Sequence, residues 1–261
     1  LFSTEEGFSG AVSTTAIDSV IQYFNELKPK NFTFVNESLS AEKMNEMVRI
    51  PNRMTMFFQN DIPLQTFQSV LSVEGAEFNE AVFNRLIIDW HTVNETRQVQ
   101  LFFVSTSNKT VYRIDMEIEN IAEFNELFIV QPKNYVEYVE QTRENNLSLY
   151  VVANPLKANQ YTYYTFEIRP ELFKDLLFKD TKIVKKEVDG AIEGYKDDMS
   201  LLEFNTETKI MEYVDPSTES ISAITPYNLL KYSFDFVNEH GGFTDDYRFA
   251  SINLQKHLVV Y

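Results

Sequence analysis

Apolar residues recur along this chain with two different periods, and the alternation between them outlines a mixed fold. Near the start, Ile17, Val20, Ile21, Phe24 and Leu27 fall at helical spacing. Thr15 and Asp18 stand in a capping-box arrangement, and Pro29 marks a stop. NFTFVN predicts a short strand, SAEKMNEMV a helix capped by Ser40, and RMTMFFQN another strand. In IPLQTFQSVL, Pro63 suits the first helical position, with Leu64, Phe67 and Leu71 along one face. The β-rich runs VFNRLIIDW, QVQLFFVST and TVYRIDMEI follow, with Asn94 and Asn108 in their linkers, so an antiparallel meander is expected. ENIAEFNELF and KNYVEYVEQT read as helical or irregular.

The polar stretch EQTRENN, residues 140–146, divides the chain into two expected domains, 1–145 and 146–261. Beyond it, LSLYVVA and YTYYTFEI read as strands joined through Asn154-Pro155. PELFKDLLF is a helix opened by Pro170, with Leu172, Leu176 and Leu177 expected to face inward. KIVKKEV, MSLLEFN and TKIMEYV are further strands. A helix from Pro226 to about Glu239 precedes the closing strands YRFASIN and HLVVY. Strands and helices without regular βαβ alternation predict an α+β class: two mixed α/β units with largely antiparallel sheets.

Composition narrows the function classes. Hydrophobic residues at 44% and aromatics at 14% place the chain among folded proteins. With 39 acidic against 23 basic residues, the net charge of −16 opposes binding to nucleic acid or to an anionic membrane surface. The absence of cysteine excludes disulfides, zinc thiolates and thiol nucleophiles. No apolar run approaches the roughly 18 residues that a membrane span needs. The chain opens on Leu1 and ends within an expected strand, so a targeting or anchoring segment is expected to lie outside it.

The residues that look most like a site are those of FVNEHGGFTDDYRF, 236–249. His240, Asp245 and Asp246 together could ligate a metal or exchange protons. The same residues also make good punctuation: Tyr227, Leu230, Phe234 and Val237 stripe the preceding helix, and His240 falls in its last turn. Gly241 suits the left-handed cap, Gly242 the reversal, and the aspartates the next turn. The structural reading is the one adopted. Asp89 and His91 share a strand face but have no third ligand, and His257 is isolated. Asp197, Asp198 and Glu203 are carboxylates of the kind chance places together in an acidic chain. Tyr161, Tyr163, Tyr164 and Phe166 could stack on sugars, although cross-strand packing accounts for them. Neither a nucleophile elbow nor a phosphate-cradling glycine loop is present. No catalytic, cofactor-binding or metal-ligating residue is assigned, and no cofactor is expected.

Two blocks carry a resemblance. FFQNDIPLQTFQSVL, followed by FNRLIIDW and the strands to Ile118, resembles the first domain of YycH proteins. FDFVNEHGGFTDDYRF, behind its proline-started helix, is similar to that family's helix–His-Gly-Gly–strand segment. The resemblance implies a non-enzymatic extracytoplasmic regulator from Gram-positive bacteria, held by one N-terminal membrane helix. It implies as partners the WalK (YycG) sensor histidine kinase, which controls cell-wall metabolism, and the related protein YycI. It also implies a further C-terminal domain beyond these residues. Two other readings of the residues stand beside it: a cell-wall carbohydrate-binding module using Tyr161–Phe166, and a hydrolase using Asp89, His91 or the Asp245 region.

Overall fold

The computed structural model describes residues 1–11, 13–35, 39–68, 71, 81–142, 144, 146–157, 160, 162, 169–215, 224–243 and 249–261. The expected strands around 161–168, with their tyrosines, and the Asp245–Asp246 pair lie outside them. The fold is α+β with antiparallel sheets, as the patterning predicts. Described contacts group into two units: Leu1–Ala158 with Thr225–Leu230 and Phe249–Tyr261, and Asn159–Ile224 with Lys231–Arg248.

The first unit opens with the short strands β1 (Phe2–Thr4) and β2 (Gly7–Gly10), then α1 (Thr14–Phe24) and β3 (Leu27–Val35). α2 (Ala41–Arg49), β4 (Arg53–Pro63), β5 (Val82–Asp89), the single turn α3 (Val93–Thr96), β6 (Gln98–Ser105) and β7 (Thr110–Ile118) follow. α4 (Ile121–Asn125) continues through a π turn (Glu126–Val130) and a 3-10 turn (Gln131–Asn134) into β8 (Val136–Gln141) and β9 (Leu149–Val152). The nine strands form one sheet in the order β3-β7-β6-β5-β4-β1-β2-β8-β9. Glu140 and Gln141, the first two residues of the stretch 140–146 read as a boundary, lie in β8, which pairs with β9.

Both faces of the central strands are covered. Leu86 and Ile88 of β5, Leu101 and Phe103 of β6, and Ile114 and Met116 of β7 face Tyr23 and Phe24 of α1 and Phe124 and Phe128 of the 121–134 segment. On the other face Ile87, Val104 and Val111 pack with Met44 and Val48 of α2. Phe83 and Phe103 meet edge to face with ring centroids 5.0 Å apart, and Phe58 and Phe67 complete the group around Phe83.

Local chemistry explains most element ends. Ser40 Oγ accepts from the Lys43 N–H, capping α2 as expected. α1 begins one residue before Thr15, with Ser13 at the cap position, so the expected capping box at Thr15 does not form. Pro29 lies within β3 instead of stopping a helix. An edge strand tolerates it because the missing N–H faces no partner, and the register shifts there. Pro63 ends β4, and a 3-10 turn (Leu64–Phe67) buries Leu64 and leads on to buried Leu71. KNYVEYVEQT contains β8, not a helix or an irregular segment: alternate residues of Val136–Gln141 are half-buried and exposed, the period of a strand.

In the second unit α5 (Pro170–Leu177) stands over a four-stranded antiparallel sheet of β10 (Lys185–Asp189), β11 (Ile192–Lys196), β12 (Leu201–Asn205) and β13 (Met211–Val214). Among the described residues its core is Phe178, Tyr195 and Leu202, with Phe173 and Leu177 packed against it. Leu172 is 57% exposed and Leu176 48%, so of the three leucines expected to face inward Leu177 does, together with Phe173, and the other two do not. Glu171 in the first turn accepts from Lys186 Nζ and the Tyr195 hydroxyl. Its own backbone N–H, and after it these two contacts, pull the carboxyl down to about 2. α6 (Pro226–Glu239) begins in the first unit and continues in the second, and the hairpin of β14 (Ser251–Asn253) and β15 (Leu258–Val260) belongs to the first.

The burial pattern predicts a steep contrast between two substitutions. Phe103→Ala should cost about 3–5 kcal/mol, because Phe103 is fully buried in the aromatic group. Leu172→Ala should change stability by less than about 0.5 kcal/mol. Urea denaturation followed by near-UV circular dichroism checks both.

Candidate functional site

Of the candidate residues weighed from the sequence, Asp89, Asp197 and His240 make structural bonds. His240 follows α6, and its Nδ1 lies 2.7 Å from the Phe236 carbonyl oxygen while the two rings meet at 4.3 Å, tilted by 31°. Gly241 and Gly242 adopt φ of 106° and 77°, and the Gly242 N–H returns to the Val237 carbonyl. The helix stripe is shifted from expectation: Pro226 and Leu229 are the buried positions, and Phe234 is 45% exposed against Phe243. Asp89 ends β5, where Oδ1 accepts from the His91 N–H at 2.8 Å and Oδ2 from Arg53 Nε at 2.8 Å. Arg53 also donates to the Met47 carbonyl, so this pair joins β5, β4 and α2. Asp197 Oδ1 accepts from the N–H groups of Met199 and Ser200, forming the turn between β11 and β12. Glu203 sits opposite Glu212 across two strands, and His257 takes φ of 49° in the closing hairpin turn. No group of three or more metal-ligating side chains occurs among the described residues.

A cavity of about 610 Å³ within the first unit is the site that sequence reasoning missed. It forms because β4 departs from its neighbours. β1 pairs with β4 only at Phe2–Met54 and Ser3–Arg53. On the other side, the β4–β5 register breaks between Phe57 and Ile62. Such an irregularity bends a strand and re-aims its side chains. Met54, Thr55, Met56, Phe57 and Phe58 then line one wall, and Ala16, Ile17 and Val20 of α1 another. Tyr138 of β8 and Leu149 and Tyr150 of β9 close the far side.

Gly10 is required by close approach. A Cβ at this position would stand 2.6 Å from Tyr138 Cε2, on a ring that lines the cavity. The β8–β9 wall is fixed from α2. Asn45 accepts from the Ser148 N–H at 2.8 Å and donates to the Asn146 carbonyl, and Arg49 Nε bonds Glu140 at 2.8 and 3.0 Å. Burial alone would raise the Glu140 pKa, but bonds from Arg49, Ser148 and Thr142 leave it below the usual carboxylate range.

The cavity lining is mostly apolar, with one buried cation. Arg85 of β5 is 7% exposed and its Nη1 has no hydrogen-bond partner among the described residues. Its guanidinium lies over the Phe57 ring at 5.2 Å. Burial lowers its pKa, and the nearby Tyr150 opposes the shift. The Tyr150 ring packs on Phe57 and Phe8 at 5.5 and 5.0 Å. Its hydroxyl is raised first by burial and then by the charge of Glu140, close by but without a well-formed hydrogen bond.

Two expected outcomes test these placements. Asp89→Ala should cost about 3 kcal/mol, because it leaves Arg53, 11% exposed, without its counter-charge. Zinc should not shift the melting temperature of either form in a thermal scan, whereas a ligand role for Asp89 predicts a shift in the parent alone. Gly10→Ala should cost about 1–3 kcal/mol through displacement of the Tyr138 ring, read by urea denaturation.

Comparison with known proteins places this architecture. The family model described as YycH protein, N-terminal domain, matches residues 1–129, and that described as YycH protein, C-terminal domain, matches 146–261. A curated relative from Bacillus subtilis (strain 168), named two-component system WalR/WalK regulatory protein YycH, is 21% identical over 211 residues, 80% of this chain and 46% of its own length. The chain thus spans about half the length of that relative. The crystal structure of YycH from Bacillus subtilis superposes with a TM-score of 0.79 at 18% identity, covering 97% of this chain and 66% of the other. With its two domain models matched in order along nearly the whole chain, this protein belongs to the YycH family.

Proposed function

We propose that this chain is the extracytoplasmic part of a non-enzymatic regulator in a WalR/WalK-type two-component system. In this reading it acts on a membrane sensor histidine kinase through protein–protein contacts shared with a YycI-like partner, and so influences cell-wall metabolism. The observation that carries the reading is family membership, together with the regulatory name of the Bacillus subtilis relative. The engagement of Asp89, Asp197 and His240 in caps, turns and an ion pair supports a role without catalysis. The net charge of −16 favours a protein partner over nucleic acid.

No helix among the described residues is long and apolar enough to cross a membrane. In this reading the anchor is an N-terminal membrane helix outside residues 1–261. Tethering raises effective concentration to roughly millimolar, so contacts too weak to detect in solution can still act. Those contacts bias a two-state kinase only if they differ between its states. The chain 1–261 alone should leave the kinase activity in vesicles unchanged. The anchored protein together with the YycI-like partner should shift its autophosphorylation rate. Unchanged kinase output with the anchored pair, alongside cleavage or tight binding of wall material by the soluble chain, would overturn the reading.

A further inference from the structure

We propose that the cavity of the first unit is a binding site for an amphiphile with a single carboxylate head and an unbranched alkyl tail. The head would pair with Arg85 and the tail would lie along the apolar wall. This inference is independent of the regulatory reading: it rests on the cavity alone.

A buried arginine in a protein interior ordinarily has a carboxylate beside it, because an uncompensated charge there is costly. Arg53, on the neighbouring strand, illustrates the rule with Asp89. Arg85 does not follow it: Nη1 has no hydrogen-bond partner among the described residues, and no carboxylate contributes to the perturbation of its pKa. The Phe57 ring beneath the guanidinium stabilises the cation but accepts no hydrogen bond. A guanidinium presents a planar fork that matches a carboxylate bidentately. Arg85 lines the cavity, so an anion there would supply the counter-charge that the described residues do not.

The rest of the lining argues for the tail. Away from Arg85 the wall is Ile17, Val20, Met54, Met56 and Phe58. Methionine side chains adapt to irregular apolar shapes, which suits a flexible chain. At about 610 Å³ the space falls in the range of about 300–1,000 Å³ typical of small-ligand sites. A peptide would bring backbone amides into a wall with few polar atoms, and each unsatisfied amide would cost binding energy. An alkyl chain carries no such groups.

The test uses the full-length protein with dodecanoate, methyl dodecanoate and acetate, measured by isothermal titration below the micellar range. Dodecanoate should bind one to one and about tenfold or more tighter than its ester, the margin expected of a charge-assisted pair. Acetate, lacking the tail, should not bind detectably. Arg85→Gln should bring acid and ester to equal affinity. Ile17→Trp, at a wall position that is 40% exposed and so tolerant of change, should weaken both ligands without unfolding the protein. Equal binding of acid and ester by the parent, an acid preference that survives Arg85→Gln, or no binding of dodecanoate at all would overturn the proposal.

Discussion

Strand β5 is the constraint around which the first unit is organised. It lies in the interior of a nine-stranded sheet, and both of its faces are covered. Leu86 and Ile88 reach the aromatic side, and Ile87 the side beneath α2. A strand in this position must be apolar on both faces or must neutralise whatever charge it carries. β5 carries two charges on one face, Arg85 and Asp89, and the structure treats them differently. Asp89 is paired by Arg53 and the His91 N–H, closing the end of the strand. Arg85 faces a cavity instead of an acid.

That difference follows from the behaviour of β4. At Arg53 the β4–β5 ladder is regular, so Arg53 sits directly opposite Asp89. The same regular register sets the aromatic Phe57 opposite Arg85, and the ladder breaks only after it, between Phe57 and Ile62. The irregularity that separates β4 from its partner also makes room beside it.

α2 bears on the cavity without touching it. Its apolar stripe seats it on the sheet through Met44 and Val48, while Asn45 and Arg49 on the same helix reach the turn and strands of β8–β9. Packing thus places a hydrogen-bonding edge where it holds Ser148, Leu149 and Tyr150 against the cavity. In the second unit the described core is Phe178, Tyr195 and Leu202 with a rim of partly buried residues, supplemented by the Glu171–Lys186–Tyr195 contacts.

Much of the fold was legible in the sequence because it rests on local periodicity. The β5–β6–β7 meander, α2 with its Ser40 cap, and α6 with its Gly241–Gly242 ending follow from alternation, capping chemistry and the need for positive φ. Elements shorter than the pattern they must display were missed: β1 and β2 have three and four residues, and β11 contains Gly194. β8 alternates in VEYVEQ, but only pairing with β2 and β9 makes that alternation decisive. Pro29 is a stop in a helix and tolerable in an edge strand, and position in the sheet decides which. The cavity belongs wholly to the second kind of information. Arg85 is visible as a charge within an apolar run, yet so is Asp89, and nothing local separates them. Which of the two finds a partner depends on the register of β4, a pairing between residues far apart in the chain, and that only the tertiary structure decides.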